Sequence, residues 1–168
     1  MSRSDIDVGT LRDRVGQEVA VGDWVAISQA RVDQFADVTD DHQWIHVDTA
    51  RAEAESPFKT TVAHGFLTLS LVSSLLRDAI RVSGLRMSLN YGLNRVRFVS
   101  PVPTGSRLRG RFTVGTVEDV DDDGVQTMWR ITVEREGGQK PALVAEWIVR
   151  YYRDIPRSSA LSPAPDPR

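Results

Sequence analysis

Residues 63–80 read "AHGFLTLSLVSSLLRDAI", the most apolar run in the 168-residue chain. Phe66, Leu69, Val72, Leu76 and Ile80 recur at helical spacing and mark one face. Leu67, Leu71 and Leu75 mark a neighbouring one. A helix apolar over that much of its circumference is buried on several sides. It therefore needs something to wrap it.

The wrapping is legible downstream. Met87, Leu89, Tyr91 and Leu93 alternate as in a half-buried strand, and Val96 and Phe98 continue the pattern after a slip. A slip near Gly92 and Asn94 predicts a β-bulge. Turn signals at "PVPTG" (101–105), "DVDDDG" (119–124) and "EGGQKP" separate three further alternating runs. These carry Leu108 to Val114, Val125 to Val133 and Leu143 to Tyr151. Short turns predict consecutive antiparallel neighbours. Upstream, residues 10–16 suggest a short helix and 18–28 extended structure. Ser28 caps a helix with Val32, Phe35 and Val38 on its apolar face, and Asp48 caps another that stops at Pro57. Helices followed by a strand meander give an α+β fold, with one sheet face laid around helix 63–80. The other face and the sheet edges want cover, and a partner subunit is one way to supply it. The expected domain spans 1–153. Residues 154–168 hold half of the eight prolines and few apolar side chains, and read as a disordered tail.

Composition removes several function classes. A net charge of −2 leaves no basic excess to hold nucleic acid. The absence of cysteine excludes disulfides, thiolate metal sites and a cysteine nucleophile. The charged first residues lack the apolar run of a signal peptide, and no stretch has the length of a membrane span. The expected address is the cytoplasm, with no membrane partner. "DVDDDG" places Asp119, Asp121, Asp123 and Gly124 as in a calcium loop, but its twelfth position is Arg130 instead of glutamate. It reads as a hairpin turn.

Chemistry concentrates in "TDDHQWIH" (39–46), read as a loop after the helix capped by Ser28. His42 and His46 are four apart, and Asp41 or His64 would complete a metal set. The stretch follows a helix end rather than lying within a helix, so no metal is expected. Asp41 and His46 could instead share and deprotonate a water, on a loop pinned by Trp44 and Ile45. From these eight residues alone the plainer reading weighs more: Asp41 caps a turn and His46 is a satisfied, half-buried histidine. Gly65 shifts the balance. A glycine opening a helix lets a carbonyl approach backbone amides that carry partial positive charge.

"FADVTDDHQWIH" and "AHGFLTLSL" together resemble the two signatures of MaoC-like (R)-specific enoyl-CoA hydratases and 3-hydroxyacyl-thioester dehydratases, in a nodulation protein N-like branch. The resemblance covers about residues 10–152. It implies a hot-dog fold, a long helix wrapped by an antiparallel sheet, and a homodimer. It implies catalytic Asp41 and His46, with the Gly65 amide polarising the thioester carbonyl and Ser73 supporting the catalytic loop. Gln43 and Trp44 replace the motif's Asn-Pro, with Gln43 in a supporting position, and Asp40 replaces its glycine. The implied reaction is reversible hydration of a trans-2-enoyl thioester, carried on CoA or an acyl-carrier protein, with no cofactor. His64, Asn94, Arg95 and Arg97 are assigned to substrate contacts. For Asn94, Arg95 and Arg97 a solvated strand face reads equally well. A hot-dog acyl-CoA thioesterase and a non-catalytic acyl-thioester-binding module are the alternatives.

Overall fold

The computed structural model describes residues 3–121 and 123–154. Strand β1 (Ser4–Asp7) leads into a 3-10 helix, Val8–Arg14, capped by the Asp7 carboxylate, which accepts from the Gly9 N–H at 2.9 Å. Strands β2 (Glu18–Val21) and β3 (Val25–Ala26) follow. Ser28 caps helix α1 (Gln29–Thr39) as its position predicts, its Oγ accepting from Arg31 N–H. The buried face of α1 is Val32 and Ala36, with Phe35 half-buried. Val38, expected on that face, is 79% exposed. Helices α2 (Trp44–Val47) and α3 (Thr49–Glu55) come next, the second capped by Asp48.

The apolar run 63–80 becomes α4 (Gly65–Ser70) and α5 (Val72–Ala79). Leu71 between them has φ −70° and ψ −18°. The hydrogen bonds Leu71 N–H to Leu67 O and Leu75 N–H to Leu71 O run through it, so the two form one rod with a slackened turn. Leu67, Val72, Leu75, Leu76 and Ala79 are buried. Phe66, expected to be buried too, is 68% exposed and packs edge-on against Phe98.

The chain then enters β4 (Ile80–Ser83), which pairs in parallel with β1. Next come β5 (Leu85–Phe98), β6 (Arg107–Val120), β7 (Gly124–Arg135) and β8 (Leu143–Arg153). The main sheet is antiparallel in the order β2-β6-β7-β8-β5, with β3 also on β6. One expectation fails here: β5 does not neighbour β6. It pairs with β8 at the far edge. Residues 99–106 are a crossover rather than a hairpin turn. Their backbone is held by the 61–63 segment and by Ile27, through Ala63 N–H to Val102 O, Thr104 N–H to Thr61 O and Gly105 N–H to Ile27 O. The predicted bulge is present and is double, with the β5–β8 register slipping between Asn90 and Gly92 and again between Leu93 and Arg95.

The inner sheet face grips the helical rod. Leu108, Phe112, Val114, Trp129, Ile131, Val133, Leu143, Trp147 and Val149 close over Leu75 and Leu76 in one core. Gly110 makes the close approach possible. A Cβ there would sit 2.5 Å from the Phe112 ring and 3.3 Å from Leu75 Cβ. At the core's centre Trp129 Nε1–H donates to the Tyr151 hydroxyl at 3.1 Å, and burial pushes the Tyr151 pKa well up. This is the hot-dog arrangement.

Strand β5 is different. Met87, Leu89, Tyr91, Leu93 and Phe98 are each more than 40% exposed. Its second edge has no strand partner among the described residues. Of the expected tail, only Asp154 is described, its N–H reaching Gly84 O. The remainder lies outside the described residues.

Replacing Trp129 by Phe should cost about 2–3 kcal/mol of unfolding free energy, from a small void and a buried phenol left without its donor. The shift in urea midpoint at constant m-value measures it.

Candidate active site

Asp40 ends α1 in the left-handed conformation, with φ 57° and ψ 19°. Only glycine, asparagine and aspartate take that conformation readily. This explains an aspartate where the resembled motif has glycine: Asp40 turns the backbone. The turn delivers Asp41 to the other side. Asp41, His46 and His64 each offer a side-chain atom, and these atoms lie within 4.8 Å of one another. His42 faces away and meets Asp37 Oδ1 at 3.0 Å on the surface, where that hydrogen bond raises its pKa.

The second half of the quoted stretch is helical, which the sequence reading missed. Gln43 caps α2 by its carbonyl, which accepts from the His46 N–H at 2.9 Å. Its side chain is exposed and makes no capping bond. Trp44 and Ile45 are only half-buried rather than core anchors, and Trp44 stacks under the Arg51 guanidinium. The clamp is elsewhere. His46 Nδ1–H donates to Val62 O at 2.6 Å, and Val62 N–H returns a bond to Ile45 O at 3.0 Å. This pairing fixes the His46 tautomer and leaves the Nε2 lone pair free.

Sequence reasoning missed Gln29. Its amide donates to His46 O at 2.8 Å and to Asp33 Oδ1 at 2.7 Å, while its Oε1 accepts from the Thr61 hydroxyl. Every polar atom of that side chain is used, so it holds the α2 backbone rigidly. A glutamine one position after a cap looks like any first-turn helix residue, and nothing in the local sequence singles it out.

His64 lies against the pair. Its ring stacks on His46 with centroids 3.8 Å apart, and Phe35 covers it at 5.1 Å. Its Nε2–H donates to the Asp41 carbonyl at 2.9 Å. Gly65 follows as the first residue of α4, and a Cβ there would lie 3.1 Å from the Phe98 ring.

The remaining predicted residues are not in this cluster. Ser73 is exposed and lines the hollow between α5 and β5 with Asn90 and Trp147. It makes no hydrogen bond among the described residues. The loop's observed support comes from Gln29 and His64 instead. Asn94 lies at the β5 bulge. Arg95 and Arg97 sit opposite Glu146 and Val144, on the sheet face turned away from the helix.

Burial is the main cause that lowers the His46 pKa, with the neighbouring His64 acting the same way. The Val62 hydrogen bond and the Asp41 charge oppose them. A neutral His46 near pH 7 is a base. Two hydrogen bonds of ordinary length meeting at one water span about 4.6 Å, and the Asp41–His46 separation, no more than 4.8 Å, admits a single shared water. The same three donors are the one group among the described residues close enough to consider for a metal ion. Their geometry fits poorly. His64 Nε2 is taken by the Asp41 carbonyl and its Nδ1 is buried, so His64 offers an ion no accessible lone pair.

An antiparallel hot-dog fold with this carboxylate–imidazole arrangement defines a class, and comparison with known proteins defines the family. Residues 11–135 match the MaoC like domain model. The chain is 51% identical over 144 residues to 3-hydroxyacyl-thioester dehydratase Z of Mycobacterium tuberculosis, covering 86% of this chain and 95% of the relative. It is 46% identical to nodulation protein N of Rhizobium leguminosarum, covering 86% and 90%. The solved (R)-hydratase from A. caviae superposes with TM-score 0.62 at 27% identity, over 80% of this chain and 94% of that one. A monoamine oxidase regulatory protein from Archaeoglobus shares the fold with TM-score 0.72 at 23% identity, over 93% and 99%. The chain belongs to the MaoC-like domain family.

The unfolded chain protonates His46 near the ordinary value of 6.5, whereas the folded protein resists until lower pH. The unfolded state therefore binds more protons in that window, and His46 removes stability as pH falls through it. Raised His42 acts oppositely. Urea midpoints measured from pH 7.5 down to about pH 5 should fall more steeply for wild type than for His46→Gln.

Proposed function

We propose that this protein is a hydro-lyase that adds water reversibly to trans-2-enoyl thioesters, giving (R)-3-hydroxyacyl thioesters. The observation that carries this reading is the Asp41 carboxylate and the His46 imidazole no more than 4.8 Å apart, beside His64, the residue before the amide that opens the central helix. The names of the relatives above support it.

Asp41 and His46 hold the water between them. As its oxygen bonds to C3, one of its protons passes to this pair. The C2–C3 π electrons move toward the thioester, and negative charge builds on its oxygen. The Gly65 N–H, the first amide of α4, meets that charge. An oxyanion donor of this type contributes about 3 kcal/mol. The electron pair then returns to C2 and takes a proton, which completes the addition. Reversal expels water from the 3-hydroxy compound. Neutral His46 suits the step because an imidazole already protonated cannot accept from water.

The thioester's carrier, CoA or an acyl-carrier protein, meets solvent-facing groups, and Arg95 and Arg97 on β5 are the cations we assign to it. A second copy of the chain covers the exposed β5 edge, whose fourteen residues offer both free backbone groups and apolar side chains.

Four expected outcomes test this. Purified protein should bleach the conjugated enoyl-thioester absorbance of a short trans-2-enoyl-CoA without releasing free CoA thiol. Thiol release would instead mark a thioesterase. Asp41→Asn and His46→Gln should each lower kcat by about 100-fold or more with unchanged circular dichroism, whereas Asp40→Asn, at the backbone turn, should stay near wild type. Treatment with a chelator and gel filtration should leave activity unchanged, and Leu89→Lys should halve the mass measured by light scattering.

A further inference from the structure

His64 enters the site through its contacts, not through exposure. It is only 2% exposed. Three observations converge on it. Its Nε2–H holds the Asp41 main-chain carbonyl at 2.9 Å. Its ring lies flat on His46 at 3.8 Å, with Phe35 over it at 5.1 Å. Its Nδ1 is buried with no partner among the described residues. Buried polar atoms are rarely left unsatisfied. An unsatisfied nitrogen in this ring indicates that its orientation is set by the other two contacts.

Asp41 is exposed and follows a left-handed residue, so its own turn does not immobilise it. The Nε2–H bond from His64 supplies the missing restraint. The same ring covers one face of His46. One side chain thus spaces both members of the pair. We propose that His64 is a positioning residue of the hydration site, tying the Asp41 backbone and backing the His46 ring so that one water fits between them. This rests on the Asp41–His46 reading above.

The stacking has a consequence for protons. The stacked His64 ring opposes a positive charge on His46. The titratable groups that face His46 are His64 and Asp41, the first opposing its protonation and the second favouring it. Removing the His64 imidazole takes away the smaller of the two influences that lower the His46 pKa, burial being the larger, and His46 then holds its proton to somewhat higher pH.

Two substitutions separate the contributions. His64→Phe keeps a flat ring on His46 but loses the donor. His64→Gln restores a donor near Nε2 without the ring. Full-length protein is assayed with a short trans-2-enoyl-CoA across pH. His64→Phe should lower kcat about tenfold or more, the usual scale for a displaced catalytic group, with KM changed much less. His64→Gln should recover part of that loss. In both, the acid limb of kcat/KM should move to higher pH. Wild-type kcat and acid limb in both folded variants would overturn the proposal, as would equal losses in both with an unmoved acid limb, since a purely structural role gives that pattern. Should neither variant fold, nitrogen-15 spectra of the wild-type rings decide. The proposal expects the Nε2–H tautomer at His64, held by the Asp41 carbonyl, beside the Nδ1–H tautomer at His46, and the Nδ1–H tautomer at His64 overturns it. An inactive wild type would instead sink the hydratase reading itself.

Discussion

The His46 Nδ1–H bond to Val62 O is the constraint on which the site depends. At 2.6 Å it selects the tautomer, aims the free nitrogen and anchors α2 to the segment before the central helix. Val62 is held in turn. It returns a bond to Ile45 and bridges to Pro103 in the crossover, while Ala63 N–H meets Val102 O. Residues 61–63 are therefore fixed from two sides, by the turn that carries Asp41 and His46 and by the strand connection. The geometry of the Asp41–His46 pair inherits its rigidity from β-like pairing in a stretch that belongs to no long strand. The helical rod that begins at Gly65 emerges directly from it.

That dependence explains which parts of the molecule were legible in sequence. Leu67, Val72, Leu75 and Leu76 are spaced by helix geometry and buried by the sheet, so a local pattern and a global fact coincide. The bulges near Gly92 and Asn94 were visible because a phase slip is itself local. The pairing of β5 with β8 was not, since strand order is decided by a crossover whose short turn-rich sequence imitates a hairpin. Phe66 and Val38 fit a helical apolar face and are nevertheless exposed, because periodicity does not say where the covering layer ends.

The site divides in the same way. Asp41, His46 and Gly65 could be named from motif spacing, and the structure places Asp41 and His46 together at the head of the helical rod. Asp40 was ambiguous as a letter and becomes plain as a dihedral angle: a backbone turn needs an aspartate or glycine, and the side chain is free of the cluster. Gln29 and the stacking role of His64 were invisible. Gln29 reaches His46 across seventeen residues and His64 reaches Asp41 across twenty-three. Neither contact leaves a trace in local pattern, because each is defined by a tertiary hydrogen bond to a main-chain carbonyl, which any residue can supply.

The central claim is that one water, held between Asp41 and His46, ends on C3 of an intact thioester. Incubation of a trans-2-butenoyl-CoA with the protein in heavy-oxygen water, followed by mass spectrometry of the products, tests it most directly. The account predicts the heavy oxygen in the 3-hydroxyl group, with the thioester bond unbroken. Heavy oxygen in a free carboxylate, with CoA released and C3 unlabelled, would contradict it.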